Sequence, residues 1–293
     1  MIQVFIMNSF ATTPEGGNPA GVVLRSDFSE KEMLKIASIA GFSETAFLNR
    51  VDGSHYEIRF FTPAAEVDLC GHATIAAFSL LKKQELLEDG NYFLSTKAGE
   101  IDINVENESV FMTQNLPEFY DEIPKEEILP CFGLKESDLI ENLPVQIVST
   151  GLRDILLPVR SLDVLFNLRP DFLKISSVSK KYDTVGVHVF TEQTKYGGTA
   201  HCRNFAPLYD IDEEAATGTS NGALACYLYR YNKITRAQAN KLVFEQGYSM
   251  NRPSEIKVCL GFFDGKINRV CVGGTAFYAG DEKIRLAEHQ AFS

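Results

Sequence analysis

The feature that most constrains this chain is a stretch that occurs twice. Arg59-Phe60-Phe61-Thr62-Pro63 returns as Arg203-Asn204-Phe205-Ala206-Pro207, an offset of 203 − 59 = 144 positions in a chain of 293 residues. Each copy runs through a short acidic segment into a glycine turn. Cys70-Gly71-His72-Ala73-Thr74-Ile75-Ala76-Ala77 is echoed by Thr217-Gly218-Thr219-Ser220-Asn221-Gly222-Ala223-Leu224-Ala225, and both lead into apolar helices. Self-similarity at half the length predicts two domains of one architecture. From Ala73 through Leu81 the first helix has almost no polar face, so it is expected to be buried. A pseudo-two-fold between the domains would bring both helix starts to a shared cleft, a favoured place for small molecules. Their free N–H groups could then hold one carboxylate between Gly71 and Gly218; the alternative is two ordinary helix starts.

Composition narrows the partners. A formal charge of −11 and a pI near 5.0 argue against a nucleic-acid surface and favour a small substrate. The first residues, Met1-Ile2-Gln3-Val4-Phe5-Ile6, form no basic leader, and no apolar run reaches the roughly 18 residues of a membrane span, so a cytoplasmic protein is expected. Six cysteines (70, 131, 202, 226, 259 and 271) lack C-x-x-C spacing, which predicts reduced, buried thiols and no metal site. Pro14-Glu15-Gly16-Gly17-Asn18-Pro19 is glycine-rich but matches neither phosphate-binding fingerprint, so nucleotide cofactors are not expected.

In chain order, Ser29 with Glu32 forms a capping box for a helix whose inner face is Met33, Ile36, Ala37 and Ala40 and which Gly41 closes. Strands are expected at 92–96, 99–105 and 109–114. Leu116 to Pro124, acidic and carrying two prolines, reads as a linker. That divides the chain into 1–116 and 117–276, with the last strand, about 277–293, a candidate addition to the first domain. Pro170 is expected to open a helix at its first position.

Glu44 stands before Thr45-Ala46-Phe47-Leu48, where a carboxylate is either a strand-end surface charge or a partly desolvated acid/base. His72 and Cys70 stand at the start of the first buried helix. There the histidine is either a site residue or one that satisfies a backbone carbonyl.

Together these residues carry a resemblance. Gly17-Asn18-Pro19-Ala20-Gly21-Val22, Phe42 to Phe47, Phe61-Thr62-Pro63, Glu66 to Thr74, and Glu245-Gln246-Gly247 with Arg252-Pro253-Ser254 resemble, in order, the motifs of the PhzF (phenazine biosynthesis-like) family. The resemblance implies an α+β, diaminopimelate-epimerase-like fold, two domains each wrapping a mixed β-barrel round a central helix, and a homodimer. It also implies a cofactor-free isomerase; the best understood member isomerises trans-2,3-dihydro-3-hydroxyanthranilate. By the same resemblance Glu44 is the general acid/base with His72 beside it. Gly71, Gly218 and Thr219 hold the substrate carboxylate, with Asn18, Cys70 and Thr217 in the same binding set. The family pattern Gly-Ile-x-Glu-Asp-Pro-Ala-Thr-Gly-Ser reads here Asp210 to Thr219, so the second acidic residue is Glu214, followed by Ala215 in place of proline.

Three alternatives stay open. A two-base epimerase needs two thiols; Cys70 supplies one, but its echo is Thr217, and Cys226 lies nine residues further along the helix. A repurposed small-anion binder is favoured by the altered 210–219 segment. A cofactor-dependent oxidoreductase lacks any fingerprint. The leading expectation is proton-transfer isomerisation of a small carboxylate by Glu44, with His72 and Glu214 orienting or sharing the proton.

Overall fold

A computed structural model describes residues 1–286. The architecture is α+β and dominated by strands. Contacts divide it into two compact units: residues 1–9, 19–112 and the segment from Thr275 form the first, and residues 10–18 and 113–274 the second.

In the first unit, strand Ile2–Ser9 pairs antiparallel with Ala276–Ile284, so the far end of the chain is stitched to its beginning. Residues 287–293, the remainder of the terminal strand expected from the sequence, lie outside the described residues. Thr45–Arg50 pairs antiparallel with His55–Phe61, which runs parallel to Gly90–Thr96 and on into the antiparallel ribbon Gly99–Glu106 and Ser109–Gln114. The Gly71–Lys83 helix packs against Ile2–Ser9, Thr45–Arg50 and Ala276–Ile284, and is buried from His72 to Leu81. Its all-round apolar sequence is the cause, since it has sheet on several sides and no solvent face. Beside it, Glu30–Ala40 starts with the expected capping box at Ser29 and Glu32 and ends at Gly41 with φ 71°. Met33, Ile36 and Ala37 face a core shared with Val4, Phe47 and Phe61.

The second unit repeats the theme on its own. Gln146–Ser149, Arg153–Pro158, Gly186–Thr191 and Ala200–Ala206 lie side by side, and Leu242–Gln246 continues them into the long hairpin Ser254–Phe263 and Lys266–Gly274. The Gly218–Arg230 helix packs on four of these strands and is buried from Ser220 to Leu228. Segment 10–18 belongs to this unit because its polar backbone is satisfied there: Glu255 N–H donates to Phe10 O at 2.7 Å, and Ala11 bridges to Ser254.

Two local expectations change. The stretch read as a linker contains strand Glu118–Glu122, paired with Gln146–Ser149. Its acidic residues are exposed while Phe119 and Tyr120 are half-buried, so the charge marks a solvated face and not a break in structure. Pro170 does not open its helix: Asp171 is the N-cap, its side chain accepting the Lys174 N–H, and the helix is Phe172–Tyr182.

Candidate active site

The first unit gathers Glu44, Cys70, Gly71 and His72. Glu44 immediately precedes its strand, and its backbone carbonyl accepts the Gly21 N–H at 3.1 Å. Cys70 is the N-cap of the buried helix, with φ −141° and no side-chain cap, so the helix start keeps its donors uncapped by the side chain before it. Gly71 is not forced by packing, since a Cβ there would meet only Met112 Sδ at 3.5 Å. The absence of a side chain keeps the helix start approachable.

The imidazole of His72 meets three side chains. Nε2 lies 3.2 Å from Glu44 Oε2 and 3.5 Å from Ser43 Oγ, and Nδ1 lies 3.4 Å from Cys70 Sγ. The Ser9 hydroxyl donates to the His72 backbone carbonyl at 2.6 Å and fixes this turn from the opposite side. His72 is 8% exposed and the Glu44 side chain 19%. Burial pushes the Glu44 carboxyl up, but His72, Ser43 and Cys70 outweigh it and hold it below the usual carboxylate range. Burial likewise disfavours the imidazolium, yet the Cys70 sulfur and the Glu44 carboxylate together raise His72 well above its ordinary value. Burial raises the Cys70 thiol. At 3.2 Å the Glu44 carboxylate and the His72 ring thus favour each other's charged forms.

The repeated arginine has a job that the sequence did not disclose. Arg59 grips Glu66 with two parallel hydrogen bonds of 2.7 Å and lies 5.1 Å from the centre of the Phe61 ring. Arg203 grips Glu213 at 2.9 and 2.7 Å and lies 5.0 Å from Phe205. In each unit this fork ties the strand to the acidic segment that feeds the helix start. Arg59, aided by Lys97, lowers Glu66 to about 2. The detectable signal was an acid five residues before each helix glycine, since 71 − 66 = 218 − 213 = 5.

The second unit holds Asn18, Glu214, Thr217, Gly218 and Thr219. Glu214 is clamped through both oxygens: Asn18 Nδ2 donates to Oε1 at 3.0 Å and the Thr217 hydroxyl to Oε2 at 2.6 Å. Thr217 is the N-cap, as Cys70 is in the first unit, but its hydroxyl is committed to Glu214. Gly218 is tighter than Gly71; a Cβ would come within 3.3 Å of Val272. The Thr219 carbonyl accepts the Thr150 hydroxyl at 3.1 Å.

Behind Glu214 runs a buried hydrogen-bond string that sequence reasoning missed. Gln246 Nε2 donates to Thr217 Oγ1 and to the Glu214 carbonyl, while its Oε1 accepts from Thr217 N–H and Asn221 Nδ2. Asn221 Oδ1 lies 3.4 Å from His188 Nε2, and Asn204 Nδ2 lies 3.1 Å from both His188 Nδ1 and Ser220 Oγ. The Ser220 hydroxyl ends the string on Asp154 at 2.7 Å. Burial lowers His188 to about 4, so its ring is neutral; with Asn204 donating to Nδ1, Nε2 carries the proton. Every side-chain donor of the string then points outward from Asn204, toward Glu214 on one arm and Asp154 on the other. Asp154 is raised to about 7, by burial first and by the charge of Glu214 second, with Ser220 opposing. Its sequence signal was an acid opening the apolar run Ile155-Leu156-Leu157.

The neighbouring residues of the Glu-Gln-Gly motif also find work. Glu245 accepts the N–H groups of Lys195, Tyr196 and Gly198 and lies 2.8 Å from His201 Nδ1. Gly247 has φ 82°, and a Cβ there would come within 2.2 Å of Arg252 O and 2.6 Å of Ala215 O.

Each unit wraps its strands round one buried helix, and the first carries a carboxylate–histidine pair at that helix's start. The chain belongs to the phenazine biosynthesis-like (PhzC-PhzF) family, whose model matches residues 7–281. It is 31% identical to the uncharacterized isomerase YfhB of Bacillus subtilis, over 97% of this chain and 99% of that protein. It is 29% identical to trans-2,3-dihydro-3-hydroxyanthranilate isomerase of Pseudomonas fluorescens, over 87% and 88%. Among solved structures, a PhzF-family protein of Bacillus anthracis superposes with a TM-score of 0.88 at 31% identity, covering 97% and 99% of the two chains. A probable proline racemase from Agrobacterium radiobacter shares the fold at TM-score 0.61 and 14% identity. No helix among the described residues is long and apolar enough to cross a membrane.

Proposed function

We propose that this protein is an isomerase that moves a proton within a small carboxylate-bearing substrate, with Glu44 as general base and then general acid. The supporting observation is the buried pair at 3.2 Å between Glu44 Oε2 and His72 Nε2. A carboxylate kept ionised near neutral pH can accept a proton from a carbon beside an unsaturated bond. Once protonated it can return that proton to another carbon of the same conjugated system, so the transfer needs no group beyond the side chain itself. The neighbouring imidazolium stabilises the negative charge that grows on the substrate as the proton leaves, and such fixed charge can be worth several kcal/mol. The uncapped N–H groups at Gly71 and His72 are suited to an anionic group.

A two-thiol epimerisation finds less support. Thr217 is the residue that echoes Cys70 at the second helix start, and its hydroxyl already donates to Glu214.

The test is solvent deuterium incorporation into a panel of small unsaturated carboxylic acids. Glu44→Gln should lower exchange by at least about 100-fold while ligand binding is retained. A Glu44→Gln protein that still exchanges at the wild-type rate ends this reading.

A further inference from the structure

We propose that Thr217 and Gln246 are positioning residues: they hold Glu214 as a fixed hydrogen-bond acceptor, while Glu44 carries the proton. The hold on Glu214 stands on the geometry of the second unit alone. Its bearing on turnover rests on the function proposed above.

A side-chain amide can sit either way round, so the direction of a hydrogen-bond string is set by groups that cannot reverse. Backbone groups set it here. Gln246 meets the Thr217 N–H at 3.2 Å, which can only donate, and the Glu214 carbonyl at 2.8 Å, which can only accept. Its oxygen and nitrogen are thereby told apart, and the second N–H of Nε2 reaches Thr217 Oγ1 at 3.1 Å. Asn221 is fixed the same way, with Nδ2 2.9 Å from the Thr217 carbonyl and 2.8 Å from Gln246 Oε1. Gln246 and Asn221 are both 0% exposed, so water does not compete for these bonds.

The Thr217 hydroxyl accepts a hydrogen bond from Gln246 and has one hydrogen of its own to place. Glu214 Oε2, at 2.6 Å, takes it. Asn18 Nδ2 donates to Glu214 Oε1 at 3.0 Å, and the Ala216 carbonyl, 3.3 Å from the same nitrogen, fixes that amide too. Both oxygens of Glu214 therefore face donors of set direction. A proton on Oε2 would reverse its bond to Thr217 and leave the hydroxyl hydrogen with no acceptor among the described residues. A proton on Oε1 would meet the Asn18 N–H head on. The string thus opposes protonation of Glu214, and the Thr217 hydroxyl has no hydrogen left for a ligand carboxylate.

Glu44 is built the opposite way. Its Oε2 is buried and has no hydrogen-bond partner among the described residues, although His72 Nε2 lies 3.2 Å away. A proton can arrive on that oxygen without breaking a hydrogen bond. The N-cap of its neighbouring helix is Cys70, whose sulfur lies against His72, 3.4 Å from Nδ1. The same position in the second unit is Thr217, bound to the carboxylate itself. One helix start leaves its carboxylate open to a proton, and the other closes its carboxylate against one.

The test is carbon-13 spectroscopy of full-length protein labelled at the glutamate side-chain carboxyl, with the Glu214 resonance assigned by its loss in Glu214→Gln. Thr217→Val removes the hydroxyl at nearly constant shape and should move the Glu214 titration midpoint to higher pH. Thr217→Ser keeps the hydroxyl and should hold the midpoint at its wild-type position. Circular dichroism of each variant reports that it is folded. In the deuterium-exchange assay, Thr217→Val should lower the rate at saturating acid at least about tenfold and change KM less than about twofold, and Thr217→Ser should recover most of the loss. An unmoved Glu214 midpoint in Thr217→Val overturns the hold. A raised KM with unchanged turnover makes Thr217 a ligand-binding group and overturns the positioning role, as does a Thr217→Ser protein no faster than Thr217→Val. A moved midpoint with unchanged exchange overturns its bearing on turnover. If the wild type exchanges no acid of the panel, the proposed function fails while the carboxyl titration still decides the hold on Glu214.

Discussion

Asp154→Asn offers the most quantitative test of the buried string. Asp154 is 2% exposed, receives one hydrogen bond from Ser220, and is raised from 3.8 to about 7. A carboxyl whose pKa rises on folding holds more protons folded than unfolded, so its effect is to make stability fall as pH rises from its unfolded value to its folded one. A shift of about three units corresponds to about 4 kcal/mol once both states are ionised. About 1.5 kcal/mol of that loss is already present at pH 5, leaving about 2.5 kcal/mol to appear between pH 5 and pH 8. Asparagine keeps an oxygen to accept the Ser220 hydroxyl and cannot ionise. The stability difference, Asp154→Asn minus wild type, should therefore grow in favour of the variant by about 2.5 kcal/mol across that window. Urea denaturation at intervals of half a pH unit, monitored by circular dichroism, measures it. Two profiles that stay parallel to within about 0.5 kcal/mol would refute the buried, uncompensated carboxyl.

Gly247→Ala should destabilise by about 2–4 kcal/mol, because φ 82° strains any side chain and its Cβ would overlap two carbonyl oxygens; an unchanged urea midpoint would contradict this. Gln246→Leu strands one N–H of the buried Asn221 amide and the Thr217 N–H and should cost about 2–4 kcal/mol. Combined with Asn221→Ala, the losses should fall short of additivity by at least about 0.5 kcal/mol, and a strictly additive double mutant would show the two are uncoupled.

Local features were legible in the sequence because their causes are local. Ser29 with Glu32 signals a helix start over a span of four residues, and the run after Gly71 signals burial through its composition alone. The nearness of Glu44 to His72 became readable only through the family motifs, since nothing within the Phe42–Phe47 segment says what its carboxylate meets. What stayed hidden depends on pairing across the chain. Asp154 meets Ser220, 66 positions away, and Gln246 meets Thr217, 29 positions away. Glu118–Glu122 was misread because an exposed strand face and a linker share acidic composition, and only the partner strand separates them.

The outward direction of the buried string makes Asp154 more than an end point. The two N–H bonds of one amide, Asn204, go to His188 and Ser220 and so start the arms that end on Glu214 and Asp154, and Asp154 also feels the charge of Glu214. A molecule or substitution that neutralises Glu214 should let Asp154 give up its proton at lower pH, and added negative charge there should delay it. Asp154 thus serves as a built-in gauge of the electrical state at Glu214, readable from its carboxyl resonance in a carbon-13 spectrum with no substrate identified beforehand.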